Sequence, residues 1–251
     1  MRAVISLLIL GLVAIAIGPV SSTITIVSEY PSIAAVLYSS TGDFFTQSCG
    51  GTIVTTKSIL TAAHCIYGDS DVSHWRVRVG SSWANNDGTI YPLNSIIVHP
   101  DFMVRTFNND IAILRTYRPI TFSNVVKPAS IAGATYNLPD SQVVWALRWG
   151  TTTTSDVLSK QLRRIQIWTI NQAECAYRYT MLGSNITANM LCAGWHGAGS
   201  RDECQGDPGT PLYHNGIMVG IQSWSYGCTD VMYPTVYTRI SSVVTWIQSN
   251  V

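Results

Sequence analysis

Short runs of β-branched or alternating apolar residues recur along the chain between turn signals. They lie at 76–79, 95–98, 111–114, 165–170, 217–221 and 236–240. Many short strands separated by turns are typical of all-β sandwiches and barrels. The pattern therefore predicts an all-β fold in which strands close into barrels.

Helical patterns are confined to two places. Asn171 begins a sequence typical of a capped helix that runs toward Tyr179. A second apolar pattern of helical period lies near the C terminus, where Ser241 or Ser242 is the expected N-cap. The sequence thus predicts two helices, one of them C-terminal.

The first residues are typical of a secretory signal. Arg2 precedes an apolar run over 3–17, which is too short to span a bilayer comfortably and ends in small residues. Val20 and Ser22 suit the positions before a cleavage site, a second option lies a few residues earlier, and a signal anchor is the alternative. We expect residues 1–22 to be removed and the mature protein to be secreted and extracellular, with no membrane partner.

Charge and composition narrow the function classes. Charged residues make up 12% of the 251-residue chain and the formal net charge is +1, against a usual charged share of about 25%. No basic stripe suggests nucleic acid. Arginine is far commoner than lysine, which suits an alkaline fluid such as a gut lumen because guanidinium keeps its charge there.

The chain has six cysteines. In a secreted protein they indicate disulfide bonds, although six thiols allow about 15 pairings. Neither a Cys-x-x-Cys pair nor a histidine cluster is present, so we expect no metal site and no cofactor.

Four short motifs occur in order: Thr-Ala-Ala-His-Cys at 61–65, Asn-Asn-Asp-Ile-Ala at 108–112, Asp-Glu-Cys-Gln-Gly-Asp at 202–207 and Ser-Trp-Ser at 223–225. With these motifs at these separations, the chain resembles the trypsin and chymotrypsin family of serine endopeptidases, and insect gut trypsins in particular.

The resemblance implies an architecture of two six-stranded antiparallel barrels packed side by side, with a C-terminal helix and a cleft between the barrels. We expect one peptidase-type domain over 23–251. Its first barrel would span about 30–134, and its second barrel with the helix about 135–251.

The resemblance also assigns catalytic roles. His64 matches the general base, Asp110 the carboxylate that orients it, and Ser223 the serine that hydrogen-bonds this carboxylate. The nucleophile position is Pro208. Proline has no nucleophilic atom and lacks the backbone N–H that, with the N–H matching Gly206, forms the oxyanion hole. We therefore expect no catalysis.

The implied specificity pocket also departs from the family. Asp202 matches the acidic floor that selects Arg and Lys, but Ser225 and Thr235 replace glycines in the walls. We expect a narrowed or closed pocket; the alternative is that Thr235 points away. Thr210 carries a hydroxyl two residues beyond the nucleophile position, too far to serve His64.

Activation in the family requires a new amino terminus that pairs with the aspartate matching Asp207. This chain has no basic residue between Arg2 and Lys57, so a trypsin-like cut before Tyr30 is excluded. Our hypothesis is that the Arg148 guanidinium pairs with Asp207 in place of the ammonium. An exposed, solvated Arg148 is the alternative.

The resemblance implies three disulfides: Cys49–Cys65, Cys175–Cys192 and Cys204–Cys228. Asn185, Ile186 and Thr187 form a glycosylation sequon.

Together these features predict a secreted, monomeric, catalytically inactive homologue that binds proteins or peptides: protease inhibitors, substrate proteins or active proteases. The alternative is an active trypsin-like digestive endopeptidase in which Pro208 is anomalous. A third possibility is a degenerated duplicate without a selected role.

Overall fold

The computed structural model describes residues 22–149, 161–195, 207–226 and 232–251. Its strands, numbered along the chain, are β1 Thr23–Ile24, β2 Ile33–Tyr38, β3 Thr46–Ile53, β4 Ser58–Thr61, β5 Trp75–Val79, β6 Thr89–Val98, β7 Ala112–Thr116, β8 Ser130–Ile131, β9 Val143–Trp149, β10 Leu162–Thr169, β11 Met190–Gly194, β12 Pro211–His214, β13 Ile217–Trp224 and β14 Thr235–Arg239. The helices are α1 Gln172–Thr180 and α2 Ile240–Asn250, and short 3-10 turns cover Ala63–Cys65 and Val72–His74.

The first barrel closes in the order β2-β3-β4-β7-β6-β5. Its strands alternate as the sequence predicts: on β5, Trp75, Val77 and Val79 are buried while Arg76 and Arg78 are half-buried. The inward side chains form one apolar core, because successive residues of a strand face opposite sides. This barrel carries the first two catalytic motifs.

The second barrel closes in the order β9-β10-β11-β14-β13-β12, with β12 pairing back to β9. Two six-stranded antiparallel barrels confirm the predicted fold class. Two short segments that precede β9 in the chain join this second barrel: β1 pairs with β10, and β8 pairs in parallel with β13. Local sequence does not specify which sheet edge such a short segment will reach, so this pairing is seen only in the tertiary structure.

Helix α1 begins as predicted. The Asn171 side-chain oxygen accepts hydrogen bonds from the backbone N–H groups of Ala173 and Glu174, at 3.0 and 3.1 Å. These bonds satisfy two donors that the first helical turn leaves without intrahelical partners.

Helix α2 begins two or three residues earlier than predicted, at Ile240, with Arg239 in the N-cap position and no side-chain cap. The expected cap at Ser241 or Ser242 is therefore wrong. The Ser242 hydroxyl instead donates to the Arg239 carbonyl oxygen at 2.7 Å. The helix continues directly from β14, so tertiary packing of the buried Ile240 outweighs the local cap preference.

Two of the three expected disulfides are confirmed, Cys49–Cys65 and Cys175–Cys192. The first ties β3 to the 3-10 turn that carries His64. The third expected bridge, Cys204–Cys228, lies outside the described residues.

Within the described ranges no helix is both long and apolar enough to cross a membrane. The predicted signal segment lies outside these ranges except for Ser22, which is buried.

Candidate active site

His64 and Asp110 meet at the edge of the first barrel. His64 lies in the 3-10 turn after β4, and Asp110 lies just before β7. The His64 Nδ1 atom is 2.7 Å from the Asp110 Oδ2 atom, and the His64 backbone N–H donates to Oδ1 at 2.8 Å. A carboxylate only accepts, so Nδ1 is the donor in this contact, and in the neutral imidazole the lone pair then lies on Nε2. The His64 side chain is 23% exposed, so part of the ring is accessible to solvent.

The second barrel completes the environment of this carboxylate. Asp110 has 0% exposure, and an isolated buried charge is costly. The Ser223 hydroxyl donates to Asp110 Oδ2, and the Thr238 hydroxyl donates to the Asp110 carbonyl oxygen at 2.8 Å. The Asp110 carboxylate thus receives three protein donors. The hydrogen bond expected from Ser223 is present, and the role of His64 as general base stays a prediction.

Pro208 lies in the turn before β12. Its carbonyl oxygen accepts a hydrogen bond from the Gly50 N–H at 2.7 Å. The next residue, Gly209, has φ +86°, and a Cβ there would overlap the Gly50 carbonyl oxygen and lie 3.1 Å from the Ala62 nitrogen. The turn therefore packs directly against the segment that leads to His64, and it needs glycine at 209.

A small cavity lies inside the second barrel, close to this turn. Arg148, Gln222, Thr235 and Tyr237 line it, with other residues of β9 and β10, and its volume is about 20 Å³. This is room for about one water. Thr235 is among the residues that line this cavity, and its effect on the specificity pocket stays a prediction.

Of the other residues expected around the specificity pocket, the structure describes Ser225. Ser225 is exposed beyond the end of β13. The expected acidic floor Asp202 and the oxyanion residue Gly206 lie outside the described residues, so their roles stay predictions.

Asp207 and Arg148 both lie near the end of β9. Asp207 Oδ2 accepts a hydrogen bond from the Trp149 N–H at 2.6 Å. Arg148 is only 2% exposed, and its Nη2 atom lies 3.5 Å from the Ser22 hydroxyl oxygen. The alternative of a solvated Arg148 is wrong, and its pairing with Asp207 stays a prediction.

Comparison with known proteins shows which family has this architecture. The family model described as Trypsin matches residues 24–247. "Trypsin, alkaline A" of Manduca sexta is 48% identical over 256 aligned residues, with 100% of both chains covered. "Trypsin CFT-1" of Choristoneura fumiferana is 47% identical with the same coverage.

The chain belongs to the trypsin family. Its fold is also similar to the solved structure of neuropsin, a serine protease expressed in the limbic system of mouse brain. That match has a TM-score of 0.77 and 28% identity, and covers 91% of this chain and 97% of the other.

Thr210 does not present a hydroxyl to His64 in this trypsin-family chain. Its side-chain oxygen donates to the Asp207 carbonyl oxygen at 2.8 Å, and the residue is only 1% exposed. Its methyl group occupies the space beside Gly50, where a Cβ would overlap it. Thr210 therefore fills space against the first barrel.

Sequence reasoning missed an aromatic wall beside the trypsin-family site. The Phe107 ring packs edge-on to the His64 ring at 5.3 Å between centroids, and 6.4 Å from the Trp224 ring. The Trp224 ring in turn packs against the Tyr179 ring, with 4.8 Å between the ring centroids. Phe107 has φ +56°, a strained value for a bulky residue. Its position one residue before the Asn-Asn-Asp motif was the only available signal.

The sequon of this trypsin-family chain lies in the loop after α1. Asn185 is exposed there, and the Thr187 hydroxyl donates to the Asn108 side-chain oxygen at 2.7 Å. Glycosylation of Asn185 stays a prediction.

Among the side chains that the structure describes, no group of three or more His, Cys, Asp or Glu residues is arranged to hold a metal ion.

Proposed function

We propose that this trypsin-family protein is a secreted, catalytically inactive homologue that acts by binding proteins. The observation that carries the proposal is Pro208, which occupies the turn packed against the His64 segment. The base, its carboxylate and the supporting serine are in place. The attacking oxygen is the missing part.

The energetic cost of that substitution is large. Loss of the nucleophile lowers turnover by roughly 10⁶ in a related type of triad. Loss of one oxyanion donor lowers turnover by a factor of about 10² to 10³. The two penalties do not add, because both parts act on the same tetrahedral intermediate. Either one leaves too little proteolysis for digestion.

A binding role follows from the parts that the chain keeps. The cleft retains an ordered His64 edge and the aromatic wall of Phe107 and Trp224. Aromatic side chains bury large areas with few rotamers to lose, which suits them to protein contacts. The partner class that we propose is a protease inhibitor, a substrate protein or an active protease.

A second candidate is an active, trypsin-like digestive endopeptidase. It is favoured by full-length relatives that are themselves named trypsins and by the intact hydrogen bonds of His64 and Asp110. In that case Pro208 is an anomaly of this particular sequence. The word alkaline in one relative's name and the arginine-rich composition favour a gut fluid as the site of action of either candidate.

One experiment separates the two candidates. The secreted, sequence-verified protein is incubated with a fluorophosphonate probe and, separately, with an arginyl amide substrate. We expect neither labelling nor turnover, with an active trypsin as the positive control. Covalent labelling together with turnover supports the endopeptidase and eliminates the inactive homologue.

Binding is tested on the same sample. Immobilised Kunitz-type inhibitor, candidate substrate proteins and active gut proteases are each presented to the protein, and the affinity is measured by surface plasmon resonance. We expect weak capture by the Kunitz inhibitor, since such inhibitors insert a Lys or Arg into the pocket narrowed by Thr235. No binding to any of the three classes argues for the degenerated duplicate.

A further inference from the structure

A second cavity lies where the segment that links the two barrels crosses over the second barrel. Its volume is about 360 Å³, within the range of about 300 to 1,000 Å³ that is usual for small-molecule sites. We call it the crossover cavity. Its walls are formed by residues 29–32, the linking residues 127–130, and Trp145, Arg164, Tyr213 and Gly216.

The crossover cavity is separate from the site that holds His64. Strand β12 begins at Pro211, next to the catalytic turn, and ends at His214. Gly216 lies in the turn beyond that far end, and neither His64 nor Pro208 lines the cavity. A ligand in this cavity therefore does not occupy the nucleophile position.

Contacts between distant segments hold the walls of the crossover cavity in place. The Lys127 N–H donates to the Pro31 carbonyl oxygen at 2.9 Å, and β8, which follows Lys127, pairs with β13. The hydroxyl oxygens of Ser32 and Tyr213 are 2.6 Å apart, which connects the start of β2 to the second barrel. The cavity is thus formed before any ligand arrives, and a pre-formed site loses less entropy on binding.

Aromatic rings supply much of the apolar wall. The Tyr30 and Tyr213 rings are 5.8 Å apart between centroids, and the Trp145 ring lies on the same side of the second barrel, because Trp145 pairs with Tyr213 across β9 and β12. Aromatic faces pack well against flat apolar groups. Since a cavity of about 150 Å³ accommodates benzene in another protein, a volume of about 360 Å³ admits a body of two fused rings.

The charges on the walls favour an anion. Arg164 Nη1 lies 2.9 Å from Glu29 Oε2, so these two opposite charges compensate each other. Lys127 is exposed and makes no ion pair with any residue that the structure describes. The cavity therefore has one surplus positive charge, which an anionic group of a ligand can neutralise.

The two hydroxyls at the wall offer a second anchor. Ser32 and Tyr213 are 5% and 6% exposed, and their contact uses one of their two hydroxyl hydrogens. Within the described ranges neither hydroxyl has another partner. Because buried donors usually find an acceptor, the remaining hydrogen is available to an oxygen atom of a ligand.

We infer that the crossover cavity binds a small, flat aromatic molecule that carries one carboxylate. The rings of Tyr30, Trp145 and Tyr213 receive the apolar body, and Lys127 pairs with the carboxylate. This small-molecule site goes beyond the proposed binding of proteins and does not depend on Pro208.

The test compares three probes that share a naphthalene body and differ in charge: 2-naphthoate, 2-naphthamide and 2-naphthylmethylammonium. Each is titrated into the mature secreted protein by isothermal calorimetry. We expect saturable binding of one 2-naphthoate, binding of the amide about tenfold weaker, and no saturable binding of the ammonium. A charge-assisted hydrogen bond is strong enough to account for a tenfold difference. Bound 2-naphthoate should also raise the thermal midpoint, because it binds the folded chain.

Two variants locate the binding. K127M removes the charge and keeps the length of the side chain, so it should weaken 2-naphthoate about tenfold and leave the amide unchanged. S130W places a large ring at an exposed residue of the cavity wall and should abolish the binding of both. K57M is the matched control, since Lys57 is also exposed but lies in the turn before β4 and does not line the cavity; it should bind like wild type.

The inference is overturned if 2-naphthoate shows no saturable binding in the millimolar range, or if the ammonium binds as tightly as the carboxylate. A K127M protein that binds 2-naphthoate like wild type, or a K57M protein that is equally weakened, also overturns it. The three wild-type titrations decide the matter even if S130W fails to fold. Fluorophosphonate labelling reports on residue 208 and the naphthalene probes on the crossover cavity, so failure of this inference and failure of the proposed inactivity are distinguishable.

Discussion

Replacing Pro208 by serine restores both an O–H and a backbone N–H in one step. The structure indicates that the turn will keep its shape. The Pro208 carbonyl oxygen accepts the Gly50 N–H, the Gly209 N–H donates to Gln222, and the Thr210 N–H donates to Asp207. All three are backbone bonds that serine preserves. The new hydroxyl then lies in the turn that packs against the His64 segment.

The expected magnitudes follow from these contacts. Since no bond is lost in the folded state, the stability change comes from the unfolded chain, where losing proline costs about 0.4 to 1 kcal/mol. For a chain of this size each kcal/mol shifts the thermal midpoint by about 2 to 4 °C. The rate of reaction at residue 208 should rise by a factor of roughly 10⁶ if His64 and Asp110 act as base and orienting carboxylate.

The assay is in-gel fluorescence after reaction with a fluorophosphonate probe. Wild type should show no fluorescent band, whereas P208S should react with the probe and show one. The P208S/H64A variant should show no band because the general base has been removed. P208A is the matched control, since it restores the N–H without the hydroxyl and should also remain dark. Labelling of P208A or of wild type, or a folded P208S that does not label, would refute the reasoning.

Three further predictions concern other parts of the molecule. G209A should unfold at a clearly lower denaturant concentration than wild type, because a Cβ at φ +86° overlaps the Gly50 carbonyl oxygen; an unchanged midpoint would contradict the close approach of the turn. The hydrogen bond from His74 lowers the pKa of Asp69. The stabilising contribution of Asp69 is therefore complete above its unfolded-state pKa of about 3.9 and is lost as pH falls through the lower folded-state value. The free energy of unfolding, measured between pH 6 and about 2, should fall less steeply with falling pH in D69N than in wild type. The same slope in both proteins would show that Asp69 does not contribute in this way. N185Q, expressed in insect cells, should lose the mass decrease that peptide N-glycosidase F causes in wild type, and a wild type without any decrease would show that the sequon is unused.

The sequence correctly predicted those elements that are specified by residues close together in the chain. The alternation along β5 and the cap at Asn171 each depend on residues a few positions apart, so periodicity and capping rules were sufficient. The expected α2 cap failed for the opposite reason, since burial of Ile240 against the barrel decides where that helix begins.

The candidate site was predicted by resemblance rather than by local rules. His64 and Asp110 are 46 residues apart, and Ser223 is 113 residues beyond Asp110. No propensity or spacing argument brings such positions together. The motifs identified these residues, and the packing of two barrels then placed their atoms within hydrogen-bonding distance.

The sequence by itself determined that this protein is built of strands, belongs with the trypsins and carries a proline where a reactive oxygen is expected, because residue identity and short-range periodicity are local properties. The tertiary structure alone decided that β1 and β8 join the second barrel, that Phe107 packs on His64, and that Arg148 is buried beside Thr235. Those outcomes depend on which surfaces remain unfilled after both barrels close, and that depends on contacts between residues far apart in the chain.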